Sequence, residues 1–222
     1  AEAGLNYTLE VKQGDLLDIV RSTVDSNKID LALFGHKPFD DSGETKRLIK
    51  KPFCSLLLVP KAPNNAIKKI GVALDFSDFS KEILNEALKL SKQMGAKLSG
   101  LHTYQVPSGY HKTGKDHEEF AEEMEENAKK EADEFLKQVS VSEIAMHYKY
   151  DEEEQPGQCL VDLAKDAEVD FLLMGSKGRT KPASVLIDSV AESVTNHIDD
   201  LPLMIVKRKD ENMGLIDALK EV

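Results

Sequence analysis

The sequence predicts an α/β fold, a mainly parallel sheet with helices on both faces, preceded by a partial copy of the same fold. Two observations carry this. From Ile67 onward, short apolar runs alternate strictly with longer segments of helical period. Upstream of Ile67, three consecutive segments repeat the pattern of the last three strand-bearing segments downstream. Strict strand–helix alternation implies right-handed crossovers between parallel neighbours.

IKKIGVALDF, starting at Ile67, reads as a buried strand that ends at Asp75. In the helix that follows, Ile83, Leu84, Ala87, Leu88 and Leu90 recur at helical spacing, and Gly95 stops it. KLSGLHTY is the second strand. After a loop with Pro107, Gly109 and Gly114, a highly charged helix carries a narrow apolar stripe of Phe120, Met124, Ala128, Phe135 and Leu136. Its acidic run, Glu118 to Glu134, has its own Lys129 and Lys130 and reads as a solvated face. EIAMHYKY is a third strand, PGQCLVDLAKDAE a third helix, VDFLLMG a fourth strand, SVLIDSVAESVTNHI a fourth helix and LPLMIVK a fifth strand. Ligands of such sheets sit beyond the carboxyl ends of the strands, where the strand order reverses. Asp75, Thr103 and Gly175 all stand at such ends.

The upstream repeat is specific. KIDLALFGHKP matches EVDFLLMGSKG, pairing Asp30 with Asp170, Gly35 with Gly175 and Lys37 with Lys177. GDLLDIVRSTVDSN matches GQCLVDLAKDAE, and PFCSLLLVPK matches LPLMIVKRK. Residues 1–61 therefore read as the C-terminal part of a first domain, 62–66 as a linker, 67–208 as a complete second domain and 209–222 as a helical tail. Half a sheet leaves apolar surface and an open edge. The expectation is a longer native protein that has lost its N-terminal piece, or a second chain that completes the half-domain. Met213, Leu215, Ile216 and Leu219 recur at helical spacing in the tail, which suits packing on the body or on another subunit.

A net charge of −11 disfavours nonspecific binding to nucleic acid or an anionic membrane. No apolar run approaches the ~20 residues a membrane helix needs, and AEAGLNYTLE shows no secretory signal. Cys54 and Cys159 lie in apolar runs and suit buried, reduced thiols, which favours the cytoplasm.

GSKGRTKPASVLIDSVAES, starting at Gly175, has the parts of a phosphate loop. Gly175 and Gly178 admit close backbone approach directly after a strand, Lys177 and Arg179 supply positive charge, and Ser189 offers a hydroxyl at a helix start. A Gly-x-x-Gly pair alone is weak evidence. The combination of VALDFSDFS, LHTY, VDFLLMGSKGRTK, IDSVAESV and LPLMIVKRK, in this order, resembles the universal stress protein family in its tandem-domain form. The resemblance implies a five-stranded, Rossmann-like sheet, a role in stress response and, in many members, an ATP site. Its motif is Gly, two residues, Gly, nine residues, then Gly followed by Ser or Thr. Gly175, Gly178 and Ser189 match; Asp188 stands where the third glycine belongs.

The resemblance also implies that Ala73, Asp75 and Thr103 line the base or ribose, with Ser176 and Val190 beside the loop. The implied ligand is ATP or another adenine nucleotide, with or without Mg²⁺, and slow hydrolysis comes with the resemblance alone, since no catalytic residue is identified. A carboxylate at Asp188 within reach of a triphosphate costs on the order of 1–4 kcal/mol, so weakened or altered binding is expected. Asp188 or Ser189 equally suits a helix N-cap, with Ser189 and Glu192 spaced as a capping box. Asp75 equally suits a cap on the helix after it, with Ser77 or Asp78. In the first copy Pro38 replaces the second glycine, so no ATP site is expected there. The six histidines form no metal-ligand set; His111 and His117 read as solvated loop residues and His102 as a strand histidine satisfied by a carbonyl. The competing reading is a non-nucleotide scaffold in which the last strands of the two domains pair, in one chain or by self-association, around a vestigial pocket.

Overall fold

The computed structural model describes residues 6–36, 47, 53–63, 66–107, 110, 114, 116–141, 144–176 and 189–207. Helix α1 (Leu16–Asn27) leads to strands β1 (Leu31–His36) and β2 (Ser55–Pro60). Next come β3 (Lys69–Ala73), α2 (Asp78–Met94), β4 (Lys97–Tyr104), α3 (His117–Gln138) and β5 (Ala145–Tyr150). The chain continues through α4 (Pro156–Asp166), β6 (Phe171–Gly175), α5 (Ser189–His197) and β7 (Leu203–Val206).

Side chains and glycines set these bounds. Ser77 caps α2 by accepting from Ser80 N–H at 3.2 Å, and Gly95 ends it at φ +64. Asp116 and Glu119 form a reciprocal capping box at the start of α3. Only Ala128, Ala132 and Phe135 of that helix are buried, while Glu125–Lys129 and Glu126–Lys130 pair along it at i,i+4 spacing. The acidic run is a solvated face, as read.

All the strands join one sheet in the order β1-β2-β7-β6-β3-β4-β5. Five of its six pairings are parallel; β2 and β7 run antiparallel, with Leu57 opposite Met204. The five strands expected downstream of Ile67 are thus a continuous part of a seven-stranded sheet, and β2–β7 is the seam to the upstream region. Alternate residues of each strand enter opposite cores. Leu172 and Leu203 face a cluster with α4 and α5, whereas Leu173 and Met204 face one with α2 and with Phe135 of α3. The sheet is therefore covered on both sides across β3–β7. Helices α4 and α5 approach so closely that a Cβ on Gly157 would stand 2.3 Å from Ser193 Cβ and 2.7 Å from Val194 N.

Candidate functional site

The strand order reverses at β3. From β3 the chain crosses one face through α2 to β4, and from β5 it returns across the other face through α4 to β6, on the far side of β3. The loop after β3 and the chain after β6 thus leave toward opposite faces, and the crevice between them is where a doubly wound sheet takes a ligand. A cavity of about 360 Å³ opens there, at the carboxyl ends of β3, β4 and β6. That volume lies in the range of small-molecule sites.

Five of the residues picked from the sequence line it: Ala73, Asp75, Thr103, Gly175 and Val190. Asp75 leaves β3 and holds the following turn: its Oδ1 accepts from Ser77 N–H at 3.0 Å and from Ser80 Oγ at 2.5 Å. Ser80 Oγ also accepts from Asp75 N–H at 3.2 Å. The cap itself is Ser77, so Asp75 braces the first turn of α2 while presenting a carboxylate to the cavity. Between them Phe76 adopts a left-handed backbone, φ +61, uncommon for a residue with a Cβ. Its ring stacks on His102 with centroids 4.4 Å apart. His102 Nδ1–H donates to Leu74 O at 2.7 Å, as expected for a strand histidine, and its ring also borders the cavity.

At the other end, Val190 and Ala191 in the first turn of α5 line the cavity. The first turn of a helix has N–H groups without intrahelical acceptors and the positive end of its dipole, so this end suits an anion. The helix begins at Ser189, directly after Asp188 in sequence. Ser176 is buried, and its N–H donates to Val206 O at 2.9 Å, so that amide is committed to the sheet. Lys177, Gly178, Arg179 and Asp188 lie outside the described residues, as does the 209–222 tail.

Asp151 and Gln105 line the cavity too, and sequence reasoning passed over both. Asp151 directly follows β5, the strand-end position that singled out Asp75 and Thr103. The run of three glutamates after it reads as a solvated turn and hides the signal.

His117 is not a loop residue: it opens α3, with Nε2 2.8 Å from Tyr150 Oη and its ring edge-on to Tyr110. Among the described residues no group of three or more His, Cys, Asp or Glu is placed to hold a metal ion. No described helix is long and apolar enough to cross a membrane. Both cysteines are free and buried, and burial pushes each thiol up to about 11, which leaves them protonated and unreactive near neutrality.

The fold and the crevice define a doubly wound α/β module with a ligand-sized cleft. The model of the Universal stress protein family matches residues 66–207. Over 148 residues the chain is 28% identical to universal stress protein Sll1388 of Synechocystis, covering 62% of this chain and 96% of that protein. It is 29% identical over 147 residues to universal stress protein MJ0531 of Methanocaldococcus jannaschii, covering 65% and 84%. Among solved structures, PA1789 of Pseudomonas aeruginosa, a functionally unknown protein, has the same fold with TM-score 0.65 at 16% identity, over 89% of this chain and 70% of that one. MJ0577 of Methanocaldococcus jannaschii matches with TM-score 0.51 at 24% identity, over 65% and 99%. The chain belongs to the universal stress protein family.

Proposed function

We propose that the cavity binds an adenine nucleotide and that the protein is a stress-response regulatory module governed by that ligand, not a dedicated enzyme. The observation that carries this is the cavity at the strand-order reversal, with the first turn of α5 at one end and strand-end polar groups at the other. In this reading the phosphates lie toward α5, served by Gly175, Gly178, Lys177, Arg179 and the Ser189 hydroxyl, with or without Mg²⁺. Base and ribose lie against Ala73, Asp75 and Thr103. Ser80 is a structural hydroxyl, since it both donates to and accepts from Asp75.

Titration calorimetry with ATP, ADP and AMP, with and without Mg²⁺, tests the reading. Saturable heat and thermal stabilisation are expected; their absence at millimolar nucleotide overturns it. Asp188 tests the phosphate end. Removing a carboxylate near a triphosphate is worth on the order of 1–4 kcal/mol, so Asp188→Gly should tighten ATP binding by about tenfold or more. Unchanged or weaker binding would mean that Asp188 is no obstacle.

A second reading is favoured by the antiparallel β2–β7 seam. Residues 1–61 act as the C-terminal part of a first domain of the same kind, 62–66 as its linker to 67–208, and 209–222 as a docking tail. Pairing of domains, within one chain or by self-association, is then the main activity. The two buried free thiols support a cytoplasmic setting. Light scattering across a concentration series separates the cases: a nucleotide-independent shift in mass favours the scaffold.

A further inference from the structure

Of the five large apolar side chains exposed on the described residues, three stand in one short segment. They are Tyr7, Leu9 and Val11, 82%, 84% and 93% exposed, in the stretch from Asn6 to Lys12 ahead of α1. Apolar and polar residues alternate there, Tyr7, Leu9 and Val11 against Thr8, Glu10 and Lys12, the period of a strand with one buried face. Within one copy, however, the segment belongs to no helix or strand, and its polar residues are the ones that meet the protein. Lys12 Nζ donates to Thr23 Oγ1 of α1 at 2.9 Å and pairs with Glu10 at 2.6 Å. The apolar side is left in water.

The same chain carries a seat for such a strand. A cavity of about 440 Å³ lies between α1 and β1, walled by Ile19, Val20 and Val24 of the helix and by Ala32 and Phe34 of the strand. Strand β1 ends the sheet, with β2 as its one partner among the described residues. The unit α1–β1 is built like α4–β6. Lys28 and Glu168 close the two helices with left-handed backbones, φ 53 and 52. Ile29 N–H donates to Val24 O as Val169 N–H does to Ala164 O, both at 3.0 Å. Beside β6, the place that corresponds to the open edge of β1 is taken by β3, paired in parallel. What fills this kind of groove in this molecule is a strand, and an open edge with an apolar groove is the setting for strand addition.

We propose that the α1–β1 groove of one copy takes the Asn6–Lys12 segment of a second copy, with Tyr7, Leu9 and Val11 turned into the groove, and that the exchange is reciprocal. This rests on the pairing reading above and adds a contact on the edge away from the β2–β7 seam. Each copy has both the segment and the groove, which is what a two-fold interface requires. Charge does not oppose the docking. The chain carries −11, but the segment has one glutamate and one lysine and brings no net charge of its own to the groove. Gly14, at φ +148, stands between the segment and Asp15, the N-cap of α1, and gives the chain a turn at which the segment can leave its own groove. Tyr7 alone has about 150–250 Å² to bury. With Leu9, Val11 and the groove walls, and with the exchange made twice, the contact approaches the ~800 Å² per partner of a standard interface.

Light scattering of the whole chain, from micromolar to millimolar, measures the monomer–dimer constant for the wild type, Leu9→Lys, Val11→Lys and Leu33→Lys. Burying one such side chain is worth about tenfold in affinity, and the exchange buries it twice, so Leu9→Lys and Val11→Lys should each weaken the dimer about a hundredfold. Both positions are exposed in a single copy, so the fold is kept, and lysine lowers the net negative charge, so weaker association cannot come from added repulsion. Leu33 is exposed too, but it alternates with Ala32 and Phe34 and lies on the other face of β1; Leu33→Lys should leave the constant unchanged. A mixture of Leu9→Cys and Val20→Cys proteins should be joined by a short bis-maleimide into a dimer of one copy of each, the native cysteines being buried. A wild type that stays monomeric overturns this inference and leaves pairing within one chain standing. A dimer indifferent to Leu9→Lys and Val11→Lys overturns it and leaves self-association through another surface. Equal weakening by Leu33→Lys, or no cross-link between Leu9→Cys and Val20→Cys, overturns it as well.

Discussion

Strands β1 and β6 have nearly the same sequence character and very different surroundings. LALFGH and FLLMG are both apolar runs that follow a helix and pair in parallel with the next strand. In β6, Phe171, Leu172, Leu173 and Met174 are all buried, whereas in β1 Leu33 is 56% exposed and Leu31, Ala32 and Phe34 are only half-buried. Pairing explains the contrast: β6 has β7 on one side and β3 on the other, while among the described residues β1 pairs only with β2. Upstream of α1, Tyr7, Leu9 and Val11 are likewise exposed. Local sequence makes both segments strands; only a second neighbour and covering helices make one of them core. Strand β2 shows where the upstream region gains its stability. Leu56 and Leu58 are buried in the same cluster as Leu172, Leu203 and Ile205, so it is anchored through the seam to β7.

If the seam makes the two regions one cooperative body, Leu58→Ala upstream should cost as much as Leu172→Ala downstream. Both side chains are essentially fully buried, and such truncations cost about 2–5 kcal/mol. Leu33→Ala, on the open side of β1, should cost less than about 1 kcal/mol. Urea unfolding followed by circular dichroism, with Cys54 thiol labelling as an upstream probe, checks this. Cys54 is buried beside β2, so its labelling should track the global transition. Labelling well before the loss of ellipticity would show that the upstream region opens independently.

Glycines sharpen the same contrast on a smaller scale. At Gly157 a Cβ meets backbone as well as side-chain atoms of α5, so α4 and α5 must separate to admit it. Overpacking of that kind costs about 1–3 kcal/mol. Since Pro156 and Val190 border the cavity from these two helices, Gly157→Ala should also weaken nucleotide binding. At Gly35, on β1, an added Cβ meets nothing within 4 Å, and Gly35→Ala should change the unfolding midpoint little. Equal effects at the two sites would contradict the difference in packing.

The sequence carried the elements further than their assembly. Ser77, Gly95, Asp116 and Glu119 bound helices through local hydrogen bonds or backbone geometry, and local causes are readable from neighbours in the chain. The five strand ends are readable too, and with them Asp75, Thr103 and Gly175 at the cavity. The last strands stand out as pairing edges, but the antiparallel sense of β2–β7 depends on contacts between residues about 150 positions apart. Asp151 was hidden for the same reason. Its place in the cavity wall is fixed by Gln105 reaching it from the end of β4, and its own neighbours, Glu152 to Glu154, are exposed.

The smallest predicted effect concerns β5, the other edge of the sheet, which differs from β1 in being covered by helices. His147 faces inward from this strand, and burial, then the positive charge of Lys69, holds its imidazole below the usual histidine value. Its Nε2 has no hydrogen-bond partner among the described residues. A depressed folded value means that the unfolded chain binds the proton more readily. The stabilising contribution is therefore complete above the ordinary value of 6.5 and is lost as pH falls through the folded value. Between those limits the folding free energy should decline with acidification in the wild type, and His147→Gln should flatten that part of the profile. Thermal midpoints from pH 7 downward measure it. A midpoint that falls equally in both proteins would assign the acid sensitivity to other groups, Asp15 among them. That carboxyl is held low by its hydrogen bond to Arg47, and its stabilisation is likewise lost on acidification, but only below the usual carboxylate range. The two contributions therefore occupy separate pH windows, the higher reporting the covered edge at β5 and the lower the start of α1.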